Sequence, residues 1–335
     1  MRRANSAQHV AVVARQTEVV PDASRPTPGP IAVLPVSRPI FVDAVRDSGG
    51  VVTELSSDTR GVIWLSSGDS TSLVEILDTH PSIEWVQLPW AGVDAFAQIL
   101  RAAAARPKPL WTSAKGAYSQ PVAEHALTLI LALLREIPRS VTATSWSTEP
   151  LGRSLFGLDV VIVGAGGIAL ELIRLLEPFG VSMTVVRRSR DEVPGADRTI
   201  TVDRLHEVLP GADVVVVAAA LTDETAQLIG ADELALMRPE SVLVNIARGG
   251  LIDSAALVEA LRAGRLAGAG LDVTDPEPLP DGHALWAEPL AIITSHNADT
   301  PDMTAPLLAE RVRVNVAALL GDGRFVGVVD ATAGY

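Results

Sequence analysis

The stretch that most restricts how this chain can fold is Val161-Ile162-Val163-Gly164-Ala165-Gly166-Gly167-Ile168-Ala169. A short run of β-branched residues fits a strand buried on both faces. The glycines behind it open a sharp turn, and apolar residues at helical spacing follow from Ile168 to Phe179. The pattern is G-x-G-x-x-G/A, with Ala169 in the third small position. The first glycine permits the turn, the second lets a pyrophosphate approach the backbone, and the small third residue lets helix and strand pack closely. Amides at the helix N-terminus then face the anion. A glycine turn without a ligand is the competing reading, and the surrounding residues have to decide between the two.

They supply a series. Strands are expected at 159–163, 182–186, 213–218, 241–246, 268–273 and 291–294. Helices fit between them at Ile168 to Phe179, Val202 to Leu209, Ala231 to Met237 and Ser254 to Ala263, with Gly264 at a helix C-cap position. Six strands with crossover helices predict a doubly wound parallel sheet that binds a dinucleotide. The second strand end bears on which one. An acid usually stands about 20 residues beyond the first glycine and bonds the ribose 2′-hydroxyl. Here Arg187-Arg188-Ser189-Arg190 occupies that place, and no acid follows until Asp191. Guanidinium forks suit a phosphate, which points to NADP(H) over NAD(H). NAD(H) stays open, as does a plain solvated basic turn.

An earlier α/β series precedes this one. Segments 31–35, 51–55, 61–65 and 84–88 read as strands, with Pro39 to Asp47 and Ser70 to Asp78 as helices. Residues 121–137 read as a long helix, opened by Pro121, ended by Pro138 and apolar around most of its circumference. A last helix, Met303 to Leu320, is expected to fold back on the first series. The expected division is a poorly ordered extension over 1–29, rich in proline, a first domain over 30–117 and 299–335, and a second over 118–298.

Composition narrows the function. The formal net charge of -13 argues against a nucleic-acid partner or an anionic membrane surface. The absence of cysteine removes disulfides, zinc–thiolate sites and a cysteine nucleophile, and suits a cytoplasmic location. The longest apolar stretch, Ala126 to Leu134, falls short of the roughly 20 residues a membrane span needs. His9, His80, His206 and His283 show no metal-ligand spacing, so no metal is assigned.

Three segments lie at strand ends on the carboxyl side of the second sheet, where such folds bind ligands: 244–253, 271–280 and 294–297. In order they bring a guanidinium (Arg248), a carboxylate (Glu277) and an imidazole (His296). With their neighbours, NIARGGLID (245–253), LDV with EPLP (271–280) and TSH (294–296), the chain resembles the D-isomer-specific 2-hydroxyacid dehydrogenase family. The likeness runs over nearly everything after the N-terminal extension. VAEHALTLILALLREIP (122–138) is similar to the family's interdomain helix. WVQLPWAGVDAF (85–96) is similar to its substrate loop, in wording nearest the glyoxylate/hydroxypyruvate reductase branch.

The resemblance implies an α/β fold of two doubly wound domains, a Rossmann cofactor domain inserted into a flavodoxin-like substrate domain. It implies that Arg248 holds the substrate carboxylate and 2-oxo group, that His296 is the general acid, and that Glu277 pairs with His296, orients it and favours its protonated form. Gly164, Ala165, Gly166, Gly167, Ile168, Arg187, Arg188, Ser189 and Ala247 would line the cofactor, with Asp272 on the nicotinamide carboxamide. Amides of Ala91, Gly92 and Val93 would bind the substrate carboxylate, and Trp286 would wall the pocket or simply pack. The implied reaction is hydride transfer from NAD(P)H to a small 2-oxo acid such as glyoxylate or hydroxypyruvate, in a cytoplasmic homodimer. His125 reads as structural. The chain departs from the family at Asn297-Ala298-Asp299, where an apolar residue and then Ala-Gly are usual, and at Ala218-Ala219-Ala220-Leu221, which lacks a proline. A dinucleotide-sensing, co-repressor-like interaction protein and an NAD-linked phosphoglycerate, formate or phosphite dehydrogenase are the alternatives.

Overall fold

A computed structural model describes residues 17–66, 70–103 and 108–330. The chain divides into two compact units, Met1–Tyr118 with Thr300–Tyr335, and Ser119–Asp299. The second unit therefore interrupts the first in sequence.

In the first unit β1 (Thr17–Val19) is followed by β2 (Ile31–Leu34), α1 (Pro39–Asp47), β3 (Gly61–Trp64), α2 (Ser70–Thr79), β4 (Trp85–Gln87), α3 (Ala97–Ala103) and β5 (Leu110–Thr112). Strands β2 to β5 form one parallel sheet in the order β2-β3-β4-β5. The strand expected at 51–55 shrinks to a single parallel bridge, Ile31 with Val52, on the free edge of β2. Val51 is 59% exposed, so this edge has too little to bury for a full strand. Counting that bridge, the order is 2-1-3-4-5, the flavodoxin-like arrangement. Val62, Trp64, Leu73, Val86, Leu88, Phe96 and Leu100 fill the core beneath the helices. Gly61 is needed there because a Cβ would stand 2.9 Å from the Trp85 ring.

The first unit is closed by a helix, Pro301–Leu320, and a strand, Arg324–Val326. A buried polar chain fastens both to the sheet. Trp85 Nε1–H donates to Thr112 Oγ1 (2.9 Å), the Thr112 hydroxyl donates to Gln87 Oε1 (2.8 Å), and Asn315 Nδ2 donates to the same oxygen (2.8 Å). Asn315 Oδ1 accepts from the Val326 amide (2.8 Å), so these buried polar groups are satisfied. Buried Arg311 donates to the carbonyls of Ser113 and Lys115, both at 2.7 Å, and burial lowers its pKa to about 10.

The expected disorder of 1–29 is corrected over its second half. Residues 1–16 lie outside the described residues, but Thr17–Val19 pairs antiparallel with Arg324–Val326, and the Val20 amide donates to Gly323 O at 3.2 Å. The partner strand lies some 300 positions away, so no local pattern announces it.

The second unit holds α4 (Ser119–Leu134), α5 (Ile137–Val141), β6 (Asp159–Val163), α6 (Gly167–Leu176), β7 (Ser182–Arg187), β8 (Arg198–Thr201), α7 (Leu205–Val208), β9 (Val214–Val217), α8 (Ala231–Leu236), β10 (Val242–Asn245), α9 (Ser254–Arg262), β11 (Gly268–Leu271) and β12 (Ala291–Ile293). All seven strands are parallel, in the order β8-β7-β6-β9-β10-β11-β12. That is the 3-2-1-4-5-6 order of a doubly wound dinucleotide fold with a seventh strand added. The expected count of six omitted β8. Its sequence, Arg-Thr-Ile-Thr, buries only Ile200 and forms a sheet edge, so it lacks the apolar run of a central strand. The long helix ends at Leu134, and Pro138 lies in the first turn of α5 rather than closing α4. Gly268 and Gly270 on β11 leave room for Leu133 and Leu129 of α4, which would stand 2.8 and 3.0 Å from added Cβ atoms.

Candidate active site

The turn between β6 and α6 shows why each small residue is there. Gly164 has φ 118°, and a Cβ on it would overlap the Ala218 carbonyl. Gly166 is the extended N-cap of α6, and nothing lies within 4 Å of where its Cβ would be. Ala169 is fully buried against the sheet. A backbone turn open at its second glycine, with amides leading into a helix, fits a dinucleotide pyrophosphate. Ala165 and Ile168 flank that opening and are half-buried.

Arg187 is the last residue of β7 and bends toward the acid that follows it. Its Nη1 donates to the Asp191 carbonyl (3.2 Å), and its Nη2 lies 4.0 Å from the Asp191 carboxylate. The Ser189 hydroxyl donates to the same carboxylate at 2.7 Å. Arg188 is exposed on this turn.

Strands β10, β11 and β12 are adjacent and parallel, so their carboxyl ends lie side by side. After β10, Asn245 folds the chain back. Its Oδ1 accepts from the Ala247 amide (3.0 Å) and its Nδ2 donates to the Arg248 carbonyl (2.9 Å). Gly249 follows because a Cβ there would run into the Thr274 backbone, so the turns after β10 and β11 touch directly. Arg248 is half-buried and donates to the Ala247 carbonyl at 2.7 Å.

Beyond β12, the residues around His296 wrap Asp272. The Asn297 and Ala298 amides donate to the Asp272 carboxylate at 2.8 and 3.1 Å, and the His296 amide donates to the Asp272 carbonyl at 2.8 Å. Those bonds hold His296 in a left-handed backbone, φ 51°, that an unsupported histidine avoids. Its side chain then meets Glu277 from the loop after β11, with Nδ1 2.6 Å from Glu277 Oε1. A carboxylate on Nδ1 fixes a proton there and leaves Nε2 for a reacting group. Asp299 senses both the Arg248 and His296 charges. Its carboxyl is held above the usual range by burial first, then by the Asp272 charge.

The family model of the D-isomer specific 2-hydroxyacid dehydrogenase NAD binding domain matches residues 127–298, just over half of the chain. This chain belongs to the D-isomer specific 2-hydroxyacid dehydrogenase family. A glyoxylate reductase of Thermococcus gammatolerans is 32% identical over 256 residues, covering 72% of this chain and 71% of the relative. A D-3-phosphoglycerate dehydrogenase of Bacillus subtilis is 38% identical over 178 residues, 52% of this chain and 34% of that protein. Among solved structures, an NADPH-dependent glyoxylate/hydroxypyruvate reductase from Sinorhizobium meliloti, in complex with citrate, is 28% identical. It superposes with a TM-score of 0.70, covering 91% of this chain and 98% of the other.

Within this dehydrogenase the structure gathers Arg248, Glu277 and His296 on three neighbouring strand ends of the second unit. Asp272, expected on the nicotinamide, has a side chain only 1% exposed and gives its carboxylate to the His296 turn. Burial raises its pKa, yet hydrogen bonds from His125, Thr294, Asn297 and Ala298 bring it below the usual carboxylate range. Trp286 is 49% exposed, with Nε1–H on the Pro280 carbonyl at 3.0 Å. Ala91, Gly92 and Val93 belong to the first unit, after β4. Their loop is pinned by Tyr118, whose hydroxyl donates to Pro89 O at 2.5 Å, and by the Ala114 amide on Trp90 O at 3.0 Å. Asn245 and Thr294 build the site although no sequence pattern singles them out; Asn245 is the first letter of NIARGG, where side-chain clamping of a turn leaves no periodic signal. No group of His, Asp or Glu that could hold a metal occurs among the described residues.

Proposed function

We propose that the protein reduces small 2-oxo acids, glyoxylate or hydroxypyruvate in type, to the 2-hydroxy acids, with NADPH preferred over NADH. The observation that carries this reading is the 2.6 Å His296–Glu277 pair at the sheet's carboxyl end, one strand from Arg248. The dinucleotide, when bound, supplies the hydride. Arg248 binds the substrate carboxylate and the 2-oxo oxygen through its planar fork. The His296 Nε2 proton passes to the carbonyl oxygen as that oxygen gains charge, and Glu277 orients the ring and stabilises its cationic form. In the reverse direction the same nitrogen accepts the hydroxyl proton.

Unit Ser119–Asp299 takes the dinucleotide in this proposal, and the remaining unit takes the substrate. The NADP preference rests on Arg187 and Arg188 at the end of β7 and on the NADPH dependence of the Sinorhizobium reductase. A cytoplasmic homodimer is part of the reading. Val141 (77% exposed), Trp146 (94%) and Phe156 (65%) give the second unit apolar surface for a second copy to cover. No helix among the described residues is long and apolar enough to cross a membrane. Ala91, Gly92, Val93 and Trp286 keep the substrate roles that the family resemblance implies.

The test is a panel of 2-oxo acids, 3-phosphohydroxypyruvate included, followed at the reduced-nicotinamide absorbance band with NADPH and with NADH. Turnover of glyoxylate or hydroxypyruvate, faster with NADPH, is expected. Tight dinucleotide binding without turnover of any acid would replace the enzyme by a sensor. A tenfold preference for NADH would remove the cofactor assignment.

A further inference from the structure

His125 lies on α4, among the buried apolar residues that pack this helix into its unit, with its side chain 20% exposed. Its Nε2 is 2.9 Å from the Thr294 hydroxyl oxygen and 3.4 Å from Asp272 Oδ1. Thr294 has one hydroxyl proton. The Asp272 carboxyl is held below its usual range, so it is an acceptor, and Thr294 spends its proton on Asp272 Oδ1 at 2.6 Å. The His125–Thr294 bond therefore runs from Nε2–H to the hydroxyl oxygen. That fixes a directed chain: His125 to Thr294, Thr294 to Asp272, with the Asn297 and Ala298 amides closing on the same carboxylate. The end of that chain is the turn that carries His296.

We propose that His125 is a positioning residue for His296, acting through Thr294 and Asp272 to hold the turn that delivers the imidazole to Glu277. The assignment rests on the reductase reading above. It explains why a helix with little polar surface keeps an imidazole at this point, and why a left-handed histidine persists without glycine. Thr294 lies two residues before His296, so a loss of its anchor moves the catalytic ring directly, while the turn at Gly164–Gly166 belongs to a separate strand end.

Five proteins test it: the parent, His125→Phe, which keeps a flat ring without a donor, His125→Gln, which keeps a donor, Thr294→Val, which removes the middle hydroxyl with almost no change of shape, and the double variant of His125→Phe with Thr294→Val. Steady-state kinetics on the best 2-oxo acid, dinucleotide affinity and melting temperature are measured for each. His125→Phe and Thr294→Val should each lose about tenfold or more in kcat with dinucleotide affinity within about twofold of the parent. His125→Gln should recover kcat to within about threefold. The double variant His125→Phe with Thr294→Val should lose less than the product of the two single losses, because both residues act on the one Asp272 carboxylate. If His125→Phe does not fold, Thr294→Val and His125→Gln carry the comparison. Retention of kcat within about twofold in Thr294→Val, or His125→Gln falling as far as His125→Phe, would overturn the inference. A parent that reduces no 2-oxo acid overturns the reductase reading instead, and this assignment with it.

Discussion

Replacing Glu277 with glutamine removes one charge from the 2.6 Å contact with His296 Nδ1 and leaves the shape of the pair intact. The two side chains are 42% and 47% exposed, so solvent screens them. Two unit charges about 4 Å apart gain about 1 kcal/mol in water and about 4 kcal/mol at an effective dielectric near 20. Both side chains are exposed, which places this pair at the lower end, about 1 kcal/mol. Since about 1.4 kcal/mol is a factor of ten, Glu277→Gln should lower kcat/KM for oxo-acid reduction about fivefold. The assay is kcat/KM for oxo-acid reduction, with parent and variant measured side by side at one pH. Glu277→Gln within about twofold of the parent would refute the pairing as a source of catalytic charge.

Two further outcomes follow from the same geometry. Changing Arg187 and Arg188 together to serine should raise KM for NADPH about tenfold or more and leave KM for NADH nearly unchanged, since a hydrogen bond to a charged group contributes about 1.5–3 kcal/mol; equal effects on both cofactors would count against the phosphate assignment. Asp299→Asn tests the electrostatics of the His296 turn: because burial raises the Asp299 carboxyl in the folded chain, its ionisation destabilises the fold as pH rises from the unfolded-state value through the folded one. The variant should therefore melt higher than the parent near neutrality, with the gap closing on acidification below about pH 4; calorimetry showing a pH-independent difference would contradict this.

The parts of the molecule that were legible in the sequence are those where one residue type answers a local demand. Gly164 and Ala169 declare a turn because no larger residue fits against Ala218 or the sheet. The apolar runs of β6, β9 and β10 declare central strands because both faces are covered. Where stability is contributed from far along the chain, the sequence is silent. β1 depends on a partner at Arg324–Val326, and β8 is an edge strand with one buried side chain. Val51–Leu55 has the composition of a strand but faces solvent on an edge, and only one bridge forms. In the site, Arg248, Glu277 and His296 stood out because each charged group interrupts a strand-end motif. The role of Asp272 did not, because its four partners, His125, Thr294, Asn297 and Ala298, come from separate positions that only the fold brings together.

The central claim is that one imidazole, oriented by Glu277, moves the proton in an otherwise cofactor-driven reduction. His296→Asn tests it most directly. Asparagine tolerates the left-handed backbone at this position, so the turn survives while the acid is lost. With 2-oxo acid and NADPH, turnover should fall by about 10² to 10⁴-fold while dinucleotide affinity stays at the parent value. Turnover undiminished in His296→Asn would contradict the account.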